Sequence, residues 1–417
     1  MFKSILSHRV FKNSTALILM QLFSYVSPLL VLPYLARVMS VHDFGTLMMI
    51  YSLLAISLVI TDFGFNLSGT YFVSKNQRYK NTVNEYLTSV FCIKFVLAFF
   101  SIAIFYSISS FFFDGLSNIS LFLILFIIFI QSFQPVWFFQ GIEKMKHITI
   151  YTIISKIIYL SFVFIFANDG SISKILICYF FSQVMATSFS LYFIIKLGYS
   201  FERTTLKNII RAFKESTPFF FSRVAVVIYT SANTLILGKY SSVVQAASYS
   251  SCEKIYYAGQ SLLNPISQAF FPYLSKDKGK GKNKQNYLSF VIISGVLLSI
   301  LCYISSFFVY DLLNIFYGGK FNDSASVLNI FLFTTVVAYF SVNFGYPMFA
   351  LIDKINYVNY TVIIGAIFHI VGLSILTLFG KLTAYNLASL VLFVELSVLI
   401  SRTAFYYMLQ QKEKVIL

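Results

Sequence analysis

The sequence is a succession of apolar runs. Stretches of about twenty residues dominated by Leu, Ile, Val and Phe recur from position 14 to position 407, separated by short polar breaks. A helix rises about 1.5 Å per residue, so each run suffices to cross a hydrocarbon core of about 30 Å. Hydrophobic residues make up 58% of the 417 and charged residues 11%. A water-facing surface cannot be assembled from so few polar groups. The chain is therefore expected to be an all-α, polytopic membrane protein.

Breaks in hydrophobicity define twelve candidate spans, roughly 14–36, 44–73, 84–111, 118–140, 148–166, 174–195, 213–237, 243–273, 287–310, 327–351, 357–379 and 383–408. The first run follows Lys3, Arg9 and Lys12, as in a signal peptide. It is too long for an h-region and lacks a small-x-small cleavage site, so it is read as a retained helix. With the N-terminus inside, the inner tails and loops hold 21 of the 31 Lys and Arg residues and the outer loops 5. The positive-inside rule then puts both termini in the cytoplasm. The excess of basic over acidic residues, 31 against 15, thus follows membrane orientation and does not imply nucleic acid. The basic run KDKGKGKNKQ (276–285) is read as a solvated inner loop beside anionic headgroups.

The connection 196–214 splits the spans six and six, giving an N-terminal bundle (1–196), a cytoplasmic linker (197–212) and a C-terminal bundle (213–417). Repeated halves are a common plan for transporters. Pro28, Pro33, Pro135, Pro218, Pro265, Pro272 and Pro347 all fall within or at the ends of spans. In lipid such breaks survive where a neighbour or a cavity satisfies the freed carbonyls. Cys92, Cys178, Cys252 and Cys302 lie in apolar runs without metal-ligand spacing and are read as packing residues. There is no nucleotide-binding loop and no nucleophile–base constellation, and the outer loops are too short for a catalytic domain.

An ionised side chain near the bilayer centre costs about 2.5–3.5 kcal/mol on insertion scales. Lys94, Lys156, Arg223 and Lys254 nonetheless fall inside spans three, five, seven and eight, opposed by Asp62, Glu253 and Glu395, with His369 as a conditional further member. At helical spacing Arg223, Thr230 and Thr234 share a face with Asn233 beside them, and Ser250, Lys254, Tyr257, Ser261 and Gln268 form a second stripe. Span one aligns Ser14, Gln21, Tyr25 and Pro28; span two aligns Tyr51, Ala55, Asp62, Asn66 and Gly69. Facing one another, these spans would line a hydrated cavity between the halves.

A cavity with cations suits an anionic cargo. Arg223, Lys254, Lys156, Lys94, Gln21, Asn233 and Gln268 are its candidate lining, and Asp62, Glu253, Glu395 and His369 are candidates for gating or for coupling to protons or sodium. No other cofactor is expected. The competing reading is structural pairing or snorkelling, which suits Arg37 and Arg402 near span ends. It weighs equally with a cavity role for Lys94 and Lys156. Asp62 could equally serve packing, with Gly64 admitting a close neighbour, and His369 is read first as a packed, hydrogen-bonded residue. Glu253 and Lys254 are adjacent, point about 100° apart on a helix, and are not expected to pair simply.

Several blocks carry a family resemblance. LPYLARV (32–38), FG (44–45) and TDFGFN (61–66) resemble the start of the bacterial O-antigen flippases, in the polysaccharide branch of the multidrug/oligosaccharidyl-lipid/polysaccharide exporter superfamily. PVWFFQGIEKMK (135–146), EKI (253–255) with QSLLNPISQAFFPYLSK (260–276), and YGGKF (317–321) with SVLNI (326–330) are similar to later segments of that family, in order. The resemblance implies twelve helices in two six-helix bundles forming a V. It also implies undecaprenyl-diphosphate-linked oligosaccharide moved from cytoplasm to periplasm across the inner membrane by alternating access. An O-antigen polymerase and a chain-length regulator are the protein partners it suggests. It carries no substrate contact over to individual residues. The rivals are a drug exporter of the same superfamily, an O-antigen polymerase and a cargo-free scaffold. Cationic drugs call for a net acidic cavity, a polymerase for a large arginine-bearing outer loop, and a scaffold gives no reason to bury charge.

Overall fold

Apolar residues that cannot face water and backbone groups that cannot be left unbonded in lipid together demand helices. The structure, a computed structural model, describes residue 23, residues 27–113, 115–275, 281–352, 354 and 356–416. Among these residues the regular elements are all helical. The chain divides into two compact units, Met1–Leu235 and Ile236–Leu417.

The first unit contains α1 (Ser27–Val38), α2 (Val41–Asp62), α3 (Phe65–Asn76), α4 (Lys80–Phe112), α5 (Asn118–Ser132), α6 (Val136–Gly141), α7 (Met145–Phe166), α8 (Ile172–Lys196) and most of α9 (Leu206–Tyr240). The second has the end of α9, then α10 (Val243–Ser275), α11 (Gly281–Phe307), α12 (Val309–Tyr317), α13 (Ala325–Asn343), α14 (Tyr346–Ala350), α15 (Asn356–Leu378) and α16 (Ala384–Ile416). Nine candidate spans among the described residues are long and apolar enough to cross a membrane; they do not include α9 and α10. Within unit one, α8 packs on α5 and α7, α2 on α4 and α5, and α3 on α6; within unit two, α13 packs on α10, α11 and α16, and α15 on α16. Large apolar side chains such as Phe95, Phe99, Phe122, Ile293 and Ile363 stay exposed on the helices, as a surface solvated by lipid requires.

Three runs that read as single spans are broken. The run 44–73 stops at Asp62 and restarts at Phe65, 118–140 breaks between Ser132 and Val136, and 327–351 breaks between Asn343 and Tyr346. The second and third breaks have a proline as cause: Pro135 caps α6 and Pro347 opens α14, each without an N–H to continue the preceding ladder. The first depends on backbone handedness. Phe63 and Gly64 adopt φ of 46° and 81°, a left-handed turn that interrupts the helix. α9 packs directly on this turn: a Cβ at Gly64 would lie 2.8 Å from both Phe219 Cβ and Phe220 N. The Phe63 ring stacks between Phe213 and Phe220, each with centroids 4.4 Å away, and the Ser68 and Ser216 hydroxyls meet at 2.6 Å.

Breaking a helix in lipid frees carbonyls, and a buried cation meets one at each proline break. Lys94 of α4, only 3% exposed, donates from Nζ to the Ser132 carbonyl at the end of α5, 3.0 Å away. Arg402 of α16, also buried, donates from Nη1 to the Ser341 carbonyl (2.5 Å) and hydroxyl (2.9 Å) near the end of α13, and from Nε to Thr361 Oγ1 (3.2 Å). The negative end of a helix dipole favours both placements. Arg402 therefore does not snorkel; it is a structural cap. Each cation also has a carboxylate within electrostatic reach, Asp62 for Lys94 and Glu395 for Arg402.

Two outcomes follow for thermal unfolding of the purified protein in detergent. Gly64→Ala meets both a left-handed backbone, costing about 1–2 kcal/mol, and the α9 backbone. Gly115, at φ 77° with open space for at least 4 Å around where a Cβ would stand, incurs the first cost alone, so Gly64→Ala lowers the midpoint more than Gly115→Ala. Lys94→Met strands the Asp62 carboxylate and is expected to cost about 3–5 kcal/mol. Adding Asp62→Asn recovers part of that loss, whereas simple additivity of the two substitutions would show that the pair is uncoupled.

Candidate functional site

In unit one, α2 delivers Asp62 to the Phe63–Gly64 turn because the helix ends there. The carboxylate is 5% exposed, and its Oδ2 has no hydrogen-bond partner among the described residues. The Lys94 ammonium faces it electrostatically while bonding Ser132. Two candidates taken separately from the sequence thus form one cluster.

Lys156 is half-buried on α7, with no ion pair among the described residues. One turn on lies Tyr159, on the same helix face, whose hydroxyl meets that of Tyr51 on α2 at 2.5 Å. Both rings pack on Tyr179 of α8, with centroids 5.6 Å from Tyr51 and 5.4 Å from Tyr159. The three tyrosines lie on three helices, so no spacing in the sequence marks them. Near the α5 break, Gln134 donates to Gln183 at 2.8 Å and Thr187 to the Ile130 carbonyl at 3.1 Å. Together these groups make a polar seam through unit one.

α9 carries Arg223, half-buried and without an ion pair among the described residues. Ten residues further on, Asn233 is buried, so the stripe is buried at that end and accessible at Arg223. Ser52 of α2 donates its hydroxyl to the Ser231 carbonyl, which fixes the α9 backbone beside α2.

In unit two, Glu253 is buried and accepts a hydrogen bond from Tyr249. Contrary to the angular argument, Lys254 does pair with it, Nζ to Oε2 at 3.7 Å. Adjacent Cα positions diverge, but four methylenes let the ammonium swing back to its neighbour. Lys254 retains 36% side-chain exposure and lies 5.9 Å from the centre of the Tyr257 ring, where the ring's negative face attracts it. His369 is buried on α15. Thr361 meets Arg402, and Gly365 meets Val398 and Val394; this antiparallel register puts His369 at about the depth of half-buried Glu395.

Gln21 lies outside the described residues, and the Gln268 side chain lies outside the described side chains. The four cysteines are free, Cys92 exposed and Cys178, Cys252 and Cys302 buried. No group of three His, Cys, Asp or Glu side chains suited to a metal ion occurs among the described residues. The chemistry on offer is that of cations, hydroxyls and amides: attraction of an anion and hydrogen bonding to polar groups.

Comparison with known proteins assigns this framework. Residues 10–278 match the family described as "Polysaccharide biosynthesis protein". A protein of Shigella dysenteriae named "Putative O-antigen transporter" is 30% identical over 272 residues, covering 64% of this chain and 68% of the relative. One of the same name from Escherichia coli strain K12 is 28% identical over 270 residues, covering 63% and 64%. Among solved structures, an inward-facing multidrug-resistance transporter of the MATE family in the MOP superfamily superposes with a TM-score of 0.73 at 12% identity, over 96% of this chain and 98% of that one. The lipid II flippase MurJ, in an inward closed conformation, gives 0.67 at 14% identity over 94% and 86%. These superpositions show that the chain shares the fold of those proteins. With nearly two thirds of its length matched by the family, the chain belongs to the polysaccharide biosynthesis protein family.

Proposed function

We propose that this protein is a flippase that carries undecaprenyl-diphosphate-linked O-antigen or capsule repeat units from the cytoplasmic to the periplasmic leaflet of the bacterial inner membrane. The observation that carries the reading is the pair of half-buried cations Arg223 and Lys254, on helices of a chain whose relatives are named as O-antigen transporters. A lipid diphosphate brings negative charge into a membrane where every cation is costly. Arg223 and Lys254 would recover that cost by attracting the headgroup, while the polyprenyl tail stays in lipid. Lys156, with the Tyr51–Tyr159–Tyr179 hydroxyls nearby, supplies further polar contacts, and Gln21, Asn233 and Gln268 complete the proposed lining.

In this reading the chain has twelve spanning helices in two six-helix bundles, 1–196 and 213–417, joined by a cytoplasmic linker at 197–212, with both termini in the cytoplasm. Alternating access is driven by protons or sodium, with Asp62, Glu253, Glu395 and His369 as the titratable or ion-binding groups. Buried, structurally engaged Lys94 serves this cycle through Asp62 rather than through direct headgroup contact. The fold likeness to a multidrug-resistance transporter supports a second reading, export of small drugs. The O-antigen relatives and Arg223, which has no ion pair among the described residues, favour the anionic lipid cargo.

Complementation tests this. Deleting the gene in its host is expected to abolish surface polymer and to accumulate lipid-linked repeat units on the inner leaflet, with wild type restoring both. Arg223→Ala and Lys254→Ala, expressed at normal levels, should each reduce polymer about tenfold, the effect of roughly 1.4 kcal/mol of lost attraction. Appearance of unpolymerised repeat units in the periplasm of the deletion strain would place the protein after flipping. Full activity of both variants would remove the cations from the transport path.

A further inference from the structure

We infer that unit one binds one anionic phospholipid whose headgroup carries two phosphates, held by Lys80, Lys144, Lys146 and Lys196 where α7 begins and α8 ends. The inference does not rest on the flippase reading and holds for any cargo.

The four lysines come from three helix ends. Lys144 caps the start of α7 and Lys146 lies in its first turn, Lys196 closes α8, and Lys80 opens α4. The His147 ring marks where the first two ends meet. It lies parallel to Phe139, with centroids 5.9 Å apart, and edge-on to Phe193 of α8 at 4.9 Å. Lys144, Lys146 and Lys196 are all within electrostatic reach of this ring. Lys80 joins them just past the end of α8, its ammonium 5.2 Å from the centre of the Tyr199 ring. Gly198, at φ 77°, makes room for it, since a Cβ there would stand 3.0 Å from Lys80 Nζ.

This charge is concentrated and not neutralised. All four lysines are exposed, and none has an ion pair among the described residues. Glu143, the acid in the connector before α7, is exposed as well and makes no ion pair among the described residues. Aromatic rings, not carboxylates, hold two of the cations: Tyr199 holds Lys80, and Tyr192 holds Lys196 at 5.5 Å. A ring face positions an ammonium without cancelling its charge, so both stay available to an anion.

The outward face of α8 supplies the second half of the argument. Phe181, Met185, Ser188, Tyr192 and Ile195 recur at helical spacing and are all exposed, a mostly apolar stripe that runs up to Lys196. Acyl chains solvate such a stripe, and the lysines stand at its headgroup end. Basic groups between spanning helices at the inner edge take phospholipid headgroups, and the positive-inside reading turns this edge to the cytoplasm. Spacing selects the headgroup. Packed helices stand about 8–10 Å apart, so the lysines of α7 form one group and those of α8 and α4 another. Two phosphates joined by glycerol reach both groups. One phosphate does not, and the directly linked phosphates of a diphosphate lie too close together.

Purified full-length protein is placed in phosphatidylethanolamine vesicles containing either diphosphatidylglycerol or twice as much phosphatidylglycerol, so that phosphate charge is equal. Lipid still bound after extraction into detergent is counted by native mass spectrometry. One diphosphatidylglycerol per chain is expected, retained about fivefold in preference to phosphatidylglycerol. Lys146→Gln and Lys196→Gln should each lower that retention about fivefold, the effect of losing one basic side chain beside an anionic headgroup. Lys214→Gln, which removes an exposed lysine from α9, should leave it unchanged. Equal retention of the two lipids would show charge alone at work, and an equal loss in Lys214→Gln would show a diffuse patch. Displacement by geranylgeranyl diphosphate at equal concentration would give the patch to a polyprenyl diphosphate instead. Any of these results, or no retained lipid, would overturn the assignment.

Discussion

A backbone carbonyl released inside an apolar medium must find a donor, and the architecture of both units depends on how that requirement is met. Prolines at 135 and 347 interrupt long apolar helices, and lipid cannot hydrogen-bond the carbonyls they release. Lys94 and Arg402 do so from neighbouring helices. The same contacts solve a second problem, because a cation buried without a partner would itself be prohibitive. Helix break and buried charge are each costly alone; together, with a carboxylate in reach, they offset one another.

This division separates two kinds of intramembrane charge. Lys94 and Arg402 are buried and occupied by backbone or hydroxyl oxygen. Arg223, Lys156 and Lys254 are half-buried and lie off the helix breaks, Lys254 shared with its neighbour Glu253 and the Tyr257 ring. Only the second kind is left uncommitted to a helix end. The tyrosine cluster of Tyr51, Tyr159 and Tyr179 adds neutral hydrogen-bonding capacity beside Lys156.

The left-handed turn at Phe63–Gly64 connects these themes. It ends α2 so that Asp62 sits opposite Lys94, and it receives the α9 backbone at a distance that no side chain at Gly64 would permit. Pro218 lies within α9, next to the two residues that touch the turn. One short segment therefore sets the packing of α9 on α2 and α3 and the surroundings of a buried carboxylate. Loss of the turn would disturb both together.

Class and lipid-spanning character were legible in the sequence because they depend on apolar run length and composition, which are properties of the chain alone. So were the candidate charges: an ionised residue inside such a run stands out wherever it packs. Partnership was not legible. Ser132 is 38 residues from Lys94 and Ser341 61 residues from Arg402, and the tyrosine cluster draws on three separate helices. The Glu253–Lys254 contact was misjudged because Cα geometry ignores the reach of a lysine stem. Runs 44–73, 118–140 and 327–351 looked continuous since hydrophobicity persists through a break. The sequence by itself determined that charges would be buried among membrane-crossing helices. Only the tertiary structure decided which of them cap broken helices and which remain available to act, because that depends on which helix ends are brought together in space.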